Sequence, residues 1–180
     1  VRRPEAVLKA KRLVLPGVGS YAAGMQALTK ANLIGAIKDR AVAGIPLLGI
    51  CLGMQLLFDS SEEFGYHEGL GLIPGKVVKL PDPHNHAFPG YKLPHIGWNI
   101  IYPPLKNTDA WSNTVLKFQK EGDPVYFVHS FYAVPKDSAD VLASSSYGGV
   151  EFCSVARRGN ISAAQFHPEK SADAGLAILR

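Results

Sequence analysis

One cysteine in the sequence has neighbours that suit a nucleophile. Cys51 is the centre of the segment GICLG at positions 49–53 and follows the apolar run PLLGI. In a nucleophile elbow the reactive side chain projects from a tight strand-to-helix turn, and glycines two positions away leave room for the backbone. The start of the following helix stabilises a thiolate and so lowers the pKa of the thiol. The pattern predicts a cysteine nucleophile. A buried structural cysteine is the alternative, although flanking by two glycines arises by chance only about 2% of the time.

A base for this nucleophile is predicted near the end of the chain. His167 follows the strand-like run ISAAQF and precedes Pro168, which favours an extended backbone at His167. Side chains two positions apart in an extended segment point to the same side, so Glu169 can accept a hydrogen bond from the imidazole and fix its tautomer. These spacings predict a triad of Cys51, His167 and Glu169 for acyl transfer. A surface His-Pro-Glu turn before the final helix is the alternative.

Two backbone N–H groups are predicted to face the negative charge of the reaction intermediate. Leu52 supplies one, because it directly follows the nucleophile. Val18 supplies the other, from the glycine-rich loop PGVG at the end of a neighbouring strand. By itself this loop is only a turn, and it does not match a phosphate-binding loop because no Gly-Lys-Ser or Gly-Lys-Thr follows.

Strands that alternate with helices must position these residues in the first third of the chain. Apolar runs at residues 12–16 and 46–50 predict buried strands. Helical periodicity follows each run, from Ser20 to Gly44 and through LGMQLLFDS at 52–60. Such alternation predicts a parallel sheet covered on both faces.

The later part of the chain predicts mostly strands. Strand-like runs occupy residues 76–80, 97–102, 125–133, 153–157 and 161–166. The last two flank Arg158-Gly159-Asn160, a three-residue hairpin signal, and a helix begins at Ser171. The predicted fold class is therefore α/β, with a mixed, mostly parallel open sheet, helices on both faces and a smaller antiparallel portion.

Composition excludes several classes of protein. Apolar residues make up 47% and charged residues 19% of the 180 residues, which is ordinary for a globular domain. The net charge of +4 is too small to indicate nucleic-acid binding, and no apolar run approaches the roughly 18 residues of a membrane span. Two cysteines far apart in the sequence favour a reducing compartment, so the expected location is the cytoplasm.

Three histidines invite a metal interpretation that the sequence does not favour. His84 and His86 lie in the segment DPHNH, and His95 follows nine residues later. A histidine-rich loop without nearby cysteines or paired acids is usually only a loop. No metal site is predicted.

Two motifs resemble a known family. GICLGMQ around Cys51 and QFHPE around His167 resemble the class I (triad) glutamine amidotransferases. Further segments are similar to the glutaminase subunits of imidazole glycerol phosphate synthase, which act in histidine biosynthesis. These segments are LPGVGSYAAGM (15–25), GICLGMQLLFDSSEE (49–63), EGLGLIPGKVVKL (68–80), IGWN (96–99), YFVHSFY (126–132) and QFHPEKS (165–171).

The resemblance implies a glutaminase that uses no cofactor and no metal. Cys51 would attack the side-chain amide of glutamine, and His167 would protonate the departing ammonia. Water would then cleave the γ-glutamyl thioester. By the same resemblance, Gly53 and Gln55 would contact the glutamine, and Ser130 with Phe131 would hold its amino-acid end.

The resemblance also implies a partner, a cyclase subunit with a (β/α)8 barrel that is either a separate chain or fused. Ammonia would reach it through a tunnel and yield imidazole glycerol phosphate and aminoimidazole carboxamide ribotide. Trp98, Tyr132 and Lys170 would lie at the interface or tunnel mouth. Glutaminase activity would be low until the liganded cyclase docks, and we hypothesise that the Val18 N–H is misdirected in the resting enzyme.

The chain is expected to form a single amidotransferase domain over residues 1–180. Members of the family open with a further strand and helix and continue past Arg180, so we expect an unpaired sheet edge here. Three other interpretations stay open: the glutaminase of a different amidotransferase, a cysteine hydrolase on a similar fold, and a non-catalytic binding module.

Overall fold

A computed structural model describes residues 3–82, 91–104 and 108–180 of the chain. Helices and strands alternate in the first third, and strands dominate thereafter. The elements are α1 (Pro4–Leu8), β1 (Leu13–Gly17), α2 (Tyr21–Lys30), α3 (Leu33–Val42), β2 (Leu47–Cys51), α4 (Leu52–Leu56), β3 (Phe58–Ser61), β4 (His67–Glu68), β5 (Ile73–Lys79), β6 (His95–Ile100), β7 (Pro124–His129), β8 (Phe131–Pro135), β9 (Val141–Tyr147), β10 (Val150–Arg158), β11 (Ile161–Ala164) and α5 (Ala172–Ile178), with 3-10 turns at Thr108–Trp111, Ser138–Asp140 and Pro168–Lys170.

A five-stranded mixed sheet in the order β1-β2-β11-β10-β9 carries the site. The pairs β1/β2 and β2/β11 are parallel, whereas β10 runs antiparallel to both of its neighbours. Parallel pairing brings the ends of β1, β2 and β11 to one edge, which is where strand-end residues meet in α/β folds. Among the described strands β1 lies at one side of this sheet, and its Val14 side chain is 56% exposed.

Two smaller sheets complete the strands. One has the order β4-β3-β5-β8, and β6 pairs with β7 in a two-stranded antiparallel ribbon. In the four-stranded sheet only β3 and β5 run parallel. The predicted α/β class with a mixed sheet is confirmed, and the antiparallel part is larger than the sequence indicated.

Apolar cores lie on both faces of the five-stranded sheet. Successive residues of β11 point to opposite faces, so Ala163 belongs to the cluster under α2, α3 and α4 while Ala164 belongs to the cluster under α5. Phe127 and Phe166 fill the second cluster. None of the described helices is both long and apolar enough to cross a membrane.

One predicted element ends earlier than the sequence indicated, and another is divided in two. The helix expected over residues 52–60 stops at Leu56, because the carbonyl of Leu57 accepts the N–H groups of Leu72 and Ile73 instead of continuing a helix. The strand expected over residues 125–133 is two strands separated at Ser130, which pair with different partners. Both differences come from long-range hydrogen bonds that local periodicity does not report.

Candidate active site

Cys51 occupies the sharp turn between β2 and α4. Its backbone has φ 54° and ψ −114°, a conformation that costs free energy for a residue with a Cβ. The flanking glycines are required by close packing: a Cβ on Gly53 would lie 1.7 Å from the carbonyl oxygen of Leu15, and one on Gly49 would lie 2.9 Å from the Gly53 carbonyl oxygen. The two glycines thus let α4 pack directly on β1 and β2 and hold the turn in place.

His167 is fixed by backbone hydrogen bonds on one side and by Glu169 on the other. Its N–H donates to the Tyr126 carbonyl at 2.9 Å, and its carbonyl accepts from the Ser171 hydroxyl at 2.7 Å. The Nδ1–H donates to Oε1 of Glu169 at 2.7 Å, since an ionised carboxylate can only accept. This leaves Nε2 as the basic nitrogen, and it is buried without a hydrogen-bond partner in the described structure.

Cys51 and His167 line one cavity of about 400 Å³. The same cavity is lined by Val18, Leu52, Gln55, Ser130 and Phe131. The structure therefore gathers in one place residues predicted separately as nucleophile, base, oxyanion donors and substrate contacts. Gly53 does not line the cavity, and the contact with Leu15 accounts for the glycine.

The oxyanion candidates come from adjacent strand ends. Gly17 pairs with Cys51 in the parallel register of β1 and β2, so Val18 and Leu52 each follow a paired residue. The Val18 side chain is 79% exposed, and Leu52 opens α4. The resting orientation of the Val18 N–H stays a prediction.

The thiol of Cys51 is held in its neutral form in the free protein. Burial raises the pKa of the Cys51 thiol to about 11, a direction that the Glu169 carboxylate reinforces. The hydrogen bond from the Leu52 N–H and the Lys170 charge lower the pKa of Cys51, but burial outweighs both. The sequence predicted the opposite net direction, because the contribution of the helix start is visible in the pattern and burial is not.

Gln55 connects the nucleophile side of the cavity to the opposite wall. Its Nε2 donates to the Phe131 carbonyl at 2.9 Å and to Oε1 of Gln165 at 3.0 Å. The Nε2 of Gln165 in turn lies 4.0 Å from the Cys51 sulfur. We call Val128–Phe131, which joins β7 to β8 and lines the cavity, the β7–β8 wall. Gln55 thus braces this wall as well as lining the cavity.

The predicted interface residues have different surroundings. Trp98 is 55% exposed on the outer face of β6, and its ring contacts Tyr126 edge-on. Lys170 is exposed in the turn after the base. Tyr132 is half-buried against Phe152 and lines a separate cavity of about 470 Å³. Contact of all three with a partner stays a prediction.

The histidines considered as metal ligands do not form a described cluster. His84 and His86 lie outside the described residues. His95 is buried and hydrogen-bonded to His129. Within residues 3–82, 91–104 and 108–180, no group of three or more His, Cys, Asp or Glu side chains is arranged to hold a metal ion.

Sequence reasoning did not single out several residues of the cavity, including Glu63, Phe64 and His129. The Glu63 carboxylate accepts the N–H of Tyr21 at the start of α2, where the helix dipole favours a negative charge. Phe64 is 89% exposed, and its ring contacts Phe131 at the cavity mouth. No local spacing indicates these positions, although Glu63 and His129 both belong to segments that resemble the family.

Comparisons with known proteins show which family this chain is similar to. The family model described as class-I glutamine amidotransferase matches residues 4–179. A Legionella pneumophila (strain Lens) protein named "Imidazole glycerol phosphate synthase subunit HisH 1" is 47% identical over 182 residues, which is 100% of this chain and 84% of that protein. The HisH subunit of Syntrophotalea carbinolica is 44% identical, covering 98% of this chain and 82% of that protein.

Solved structures resemble the fold at lower identity. A crystal structure described as a glutamine amidotransferase has a TM-score of 0.68 at 18% identity, covering 98% of this chain and 80% of that chain. The glutaminase domain of Trypanosoma brucei CTPS with bound acivicin has a TM-score of 0.63 at 18% identity, covering 98% and 72%. At these identities the likeness concerns the fold alone.

Proposed function

The chain belongs to the class I glutamine amidotransferase family, and from that premise we propose that it is the glutaminase subunit of an imidazole glycerol phosphate synthase, in histidine biosynthesis. One structural observation carries the chemistry: Cys51 and His167 line one cavity, and Glu169 anchors Nδ1 of His167. This is the arrangement that a cysteine nucleophile needs for acyl transfer.

Glutamine hydrolysis proceeds in two steps at this site. The Cys51 sulfur bonds to the side-chain amide carbon of glutamine as its proton passes to Nε2 of His167. His167 returns that proton to the nitrogen, so the C–N bond breaks and ammonia leaves a γ-glutamyl thioester. Water, deprotonated by His167, attacks the thioester, and the thiol and glutamate are released. The N–H groups of Leu52 and Val18 stabilise the oxyanion in both steps.

The neutral thiol gives this mechanism a defined starting state. Because burial raises the pKa of Cys51 to about 11, the resting enzyme holds a thiol and not a thiolate at neutral pH. Its sulfur lies 3.9 Å from the Val128 carbonyl, the direction of a weak S–H donor. The proton must therefore move to His167 when substrate is bound, which limits reaction of the free enzyme with other electrophiles.

The two charged groups at the amino-acid end of glutamine are held by different residues of the cavity. Ser130 and Phe131 bind the α-carboxylate end through hydroxyl and backbone groups. The half-buried Glu63 carboxylate binds the α-ammonium group, since it is an anion that lines the cavity. Gln55 contacts the substrate from the α4 side and supports Phe131 at the same time.

The relatives are named as subunits, and a subunit has a partner. We infer that this partner is a cyclase with a (β/α)8 barrel that receives ammonia through a tunnel. The exposed side chains of Ile96, Trp98 and Ile100 lie on one face of β6 and give the partner an apolar contact. Lys170, next to the base, adds a positive charge at the tunnel mouth, and Tyr132 supports the rim.

Glutamate release from glutamine tests the proposal. The protein is assayed with and without a barrel cyclase and its phosphorylated ligand, and Cys51→Ala is the control. We expect release only with the liganded cyclase and none from the variant. Release that needs Cys51 but ignores the cyclase would point to another amidotransferase or a hydrolase. Activity that is indifferent to Cys51→Ala would overturn the mechanism.

A further inference from the structure

A pair of buried histidines lies outside the triad, and one of the two belongs to the β7–β8 wall. His95 on β6 and His129 on β7 are directly opposite each other in the antiparallel ladder. Nδ1 of His95 lies 2.9 Å from Nε2 of His129, and Nδ1 of His129 lies 3.0 Å from the Phe131 carbonyl oxygen. His129 also lines the cavity that holds Cys51 and His167.

His95, His129 and the Phe131 carbonyl form a series of hydrogen bonds, and the carbonyl sets the direction of each bond in it. A carbonyl oxygen only accepts, so Nδ1 of His129 carries a proton and donates to Phe131. In the neutral ring, Nε2 of His129 is then an acceptor, and His95 must donate to it from Nδ1. Nε2 of His95 is left as an acceptor, with the Asn99 amide nitrogen at 3.5 Å. The Phe131 carbonyl therefore fixes the tautomer of His129, and that tautomer requires a donor at His95.

Packing holds His95 in the orientation that this chain needs. Its ring is stacked between Tyr147, at a centroid distance of 3.8 Å, and Phe127, at 4.9 Å. Only 2% of His95 is exposed, so no water replaces a lost partner cheaply. The series of hydrogen bonds ends at the Phe131 carbonyl, which also accepts a hydrogen bond from Gln55. The wall that carries Ser130 is therefore pinned from both sides.

We propose that His95 is a positioning residue: by donating to His129, it holds Ser130 and Phe131 in place to bind the amino-acid end of glutamine. This rests on the proposed function for the identity of the ligand. The hydrogen bonds from His95 to His129 and from His129 to Phe131 do not depend on the proposed function. His95 does not line the cavity and touches no reacting atom, so its effect passes through His129.

Two substitutions at His95 separate its hydrogen bond from its packing. His95→Phe keeps a stacked ring but removes the donor, which leaves Nε2 of His129 buried and unpaired. His95→Asn removes the ring but keeps an amide N–H close to the position of Nδ1. With the cyclase bound, we expect His95→Phe to raise the KM for glutamine about tenfold with kcat within about twofold. We expect His95→Asn to stay within about twofold on both.

A second variant tests the route through His129. His129→Asn keeps a donor toward the Phe131 carbonyl that needs no partner at residue 95. In this background His95→Phe should cause no further rise in KM, so the two changes are not additive. Additive effects would overturn the proposal. It would also be overturned if His95→Asn raised KM as much as His95→Phe, or if His95→Phe left KM unchanged.

Hydrogen exchange provides a readout independent of glutamine. Amides of residues 130–132 should exchange faster in His95→Phe than in His95→Asn or the unsubstituted protein. Absence of glutamine hydrolysis by the unsubstituted complex would refute the proposed function. Hydrogen exchange alone would then decide whether His95 positions residues 130–132 through His129. Faster exchange confined to His95→Phe supports this positioning role of His95, and equal exchange in all three proteins overturns it.

Discussion

On the nucleophile side of the cavity, Cys51 and Leu52 are consecutive residues whose positions follow from β2 and two nearby glycines. On the opposite side, Ser130 and Phe131 depend on side chains from positions 55, 95 and 129. The first side is built by the local backbone, and the second by hydrogen bonds between residues far apart in sequence. A single substitution should therefore act through steric fit on one side and through lost hydrogen bonds on the other.

The largest effect is expected at the nucleophile itself. Cys51→Ala should reduce glutamate release in the cyclase complex by at least about a thousandfold, because Cys51 is the only thiol among the described residues that line the cavity. Cys153→Ala is the matched control, since Cys153 is also a buried free cysteine but lies within β10 and does not line the cavity. It should leave turnover within about twofold. Comparable losses of glutamate release in both variants would show that activity depends on a buried cysteine in general and not on the cysteine at the β2–α4 turn.

The backbone fit of the nucleophile side predicts the next largest effect. Gly53→Ala should lower the free energy of unfolding by about 3 kcal/mol, because its Cβ would lie 1.7 Å from the Leu15 carbonyl oxygen. Gly35→Ala is the control: a Cβ there meets nothing within 4 Å, and in α3 it should stabilise by about 0.5–1 kcal/mol. Urea unfolding measures both. Equal and small effects would mean that α4 is free to move away from β1.

The same contrast decides what could be predicted from the sequence. The turn at Cys51 and the pair of His167 and Glu169 each involve residues close together in the sequence. Residue types and periodicity were therefore enough to predict them. The pairing of His95 with His129 requires β6 and β7 to be in register, 34 positions apart, and no local pattern encodes that. The raised pKa of Cys51 was missed for the same reason, because burial is produced by the whole fold.

The end of α4 illustrates this limit within the nucleophile side. The apolar residues after Gln55 continue a helical pattern, yet the carbonyl of Leu56 accepts the N–H of Leu70 and the carbonyl of Leu57 accepts the N–H of Leu72. The helix therefore ends at Leu56 and β3 begins at Phe58. Local propensity was overridden by a loop that lies more than ten residues further along the chain.

The buried pair of His95 and His129 should make the protein sensitive to acid. Burial lowers the pKa of His95 to about 4 and that of His129 to about 3, whereas an unfolded histidine titrates near about 6.5. As the pH falls below about 6.5, the unfolded chain binds protons that the folded protein does not. The free energy of unfolding should therefore fall by about 1.4 kcal/mol per pH unit for each histidine until the folded pKa is reached.

Urea unfolding at pH 7.5, 6 and 5 measures this slope. His129→Asn removes one of the two protonation sites, so its slope between pH 6 and 5 should be smaller by close to one proton than that of the unsubstituted protein. An unchanged slope would mean that the pair does not stay neutral in the folded state. This pair would then be no more sensitive to acid than the nucleophile side.

Glu169 sharpens the comparison between the two sides of the cavity, because it lies two positions from His167 in the sequence yet is at the surface. Its side chain is 48% exposed, so water screens the charge that stabilises the protonated imidazole. Glu169→Gln keeps an acceptor for the Nδ1–H and removes only this charge, so kcat in the complex should fall by about tenfold, far less than the ~10⁴-fold known for a buried aspartate in a serine triad. Glu62→Gln is the control, since Glu62 is 54% exposed, pairs with Lys76 and does not line the cavity. It should leave kcat unchanged. A thousandfold loss in Glu169→Gln would mean that the docked cyclase covers Glu169 and turns a screened contact into a buried one.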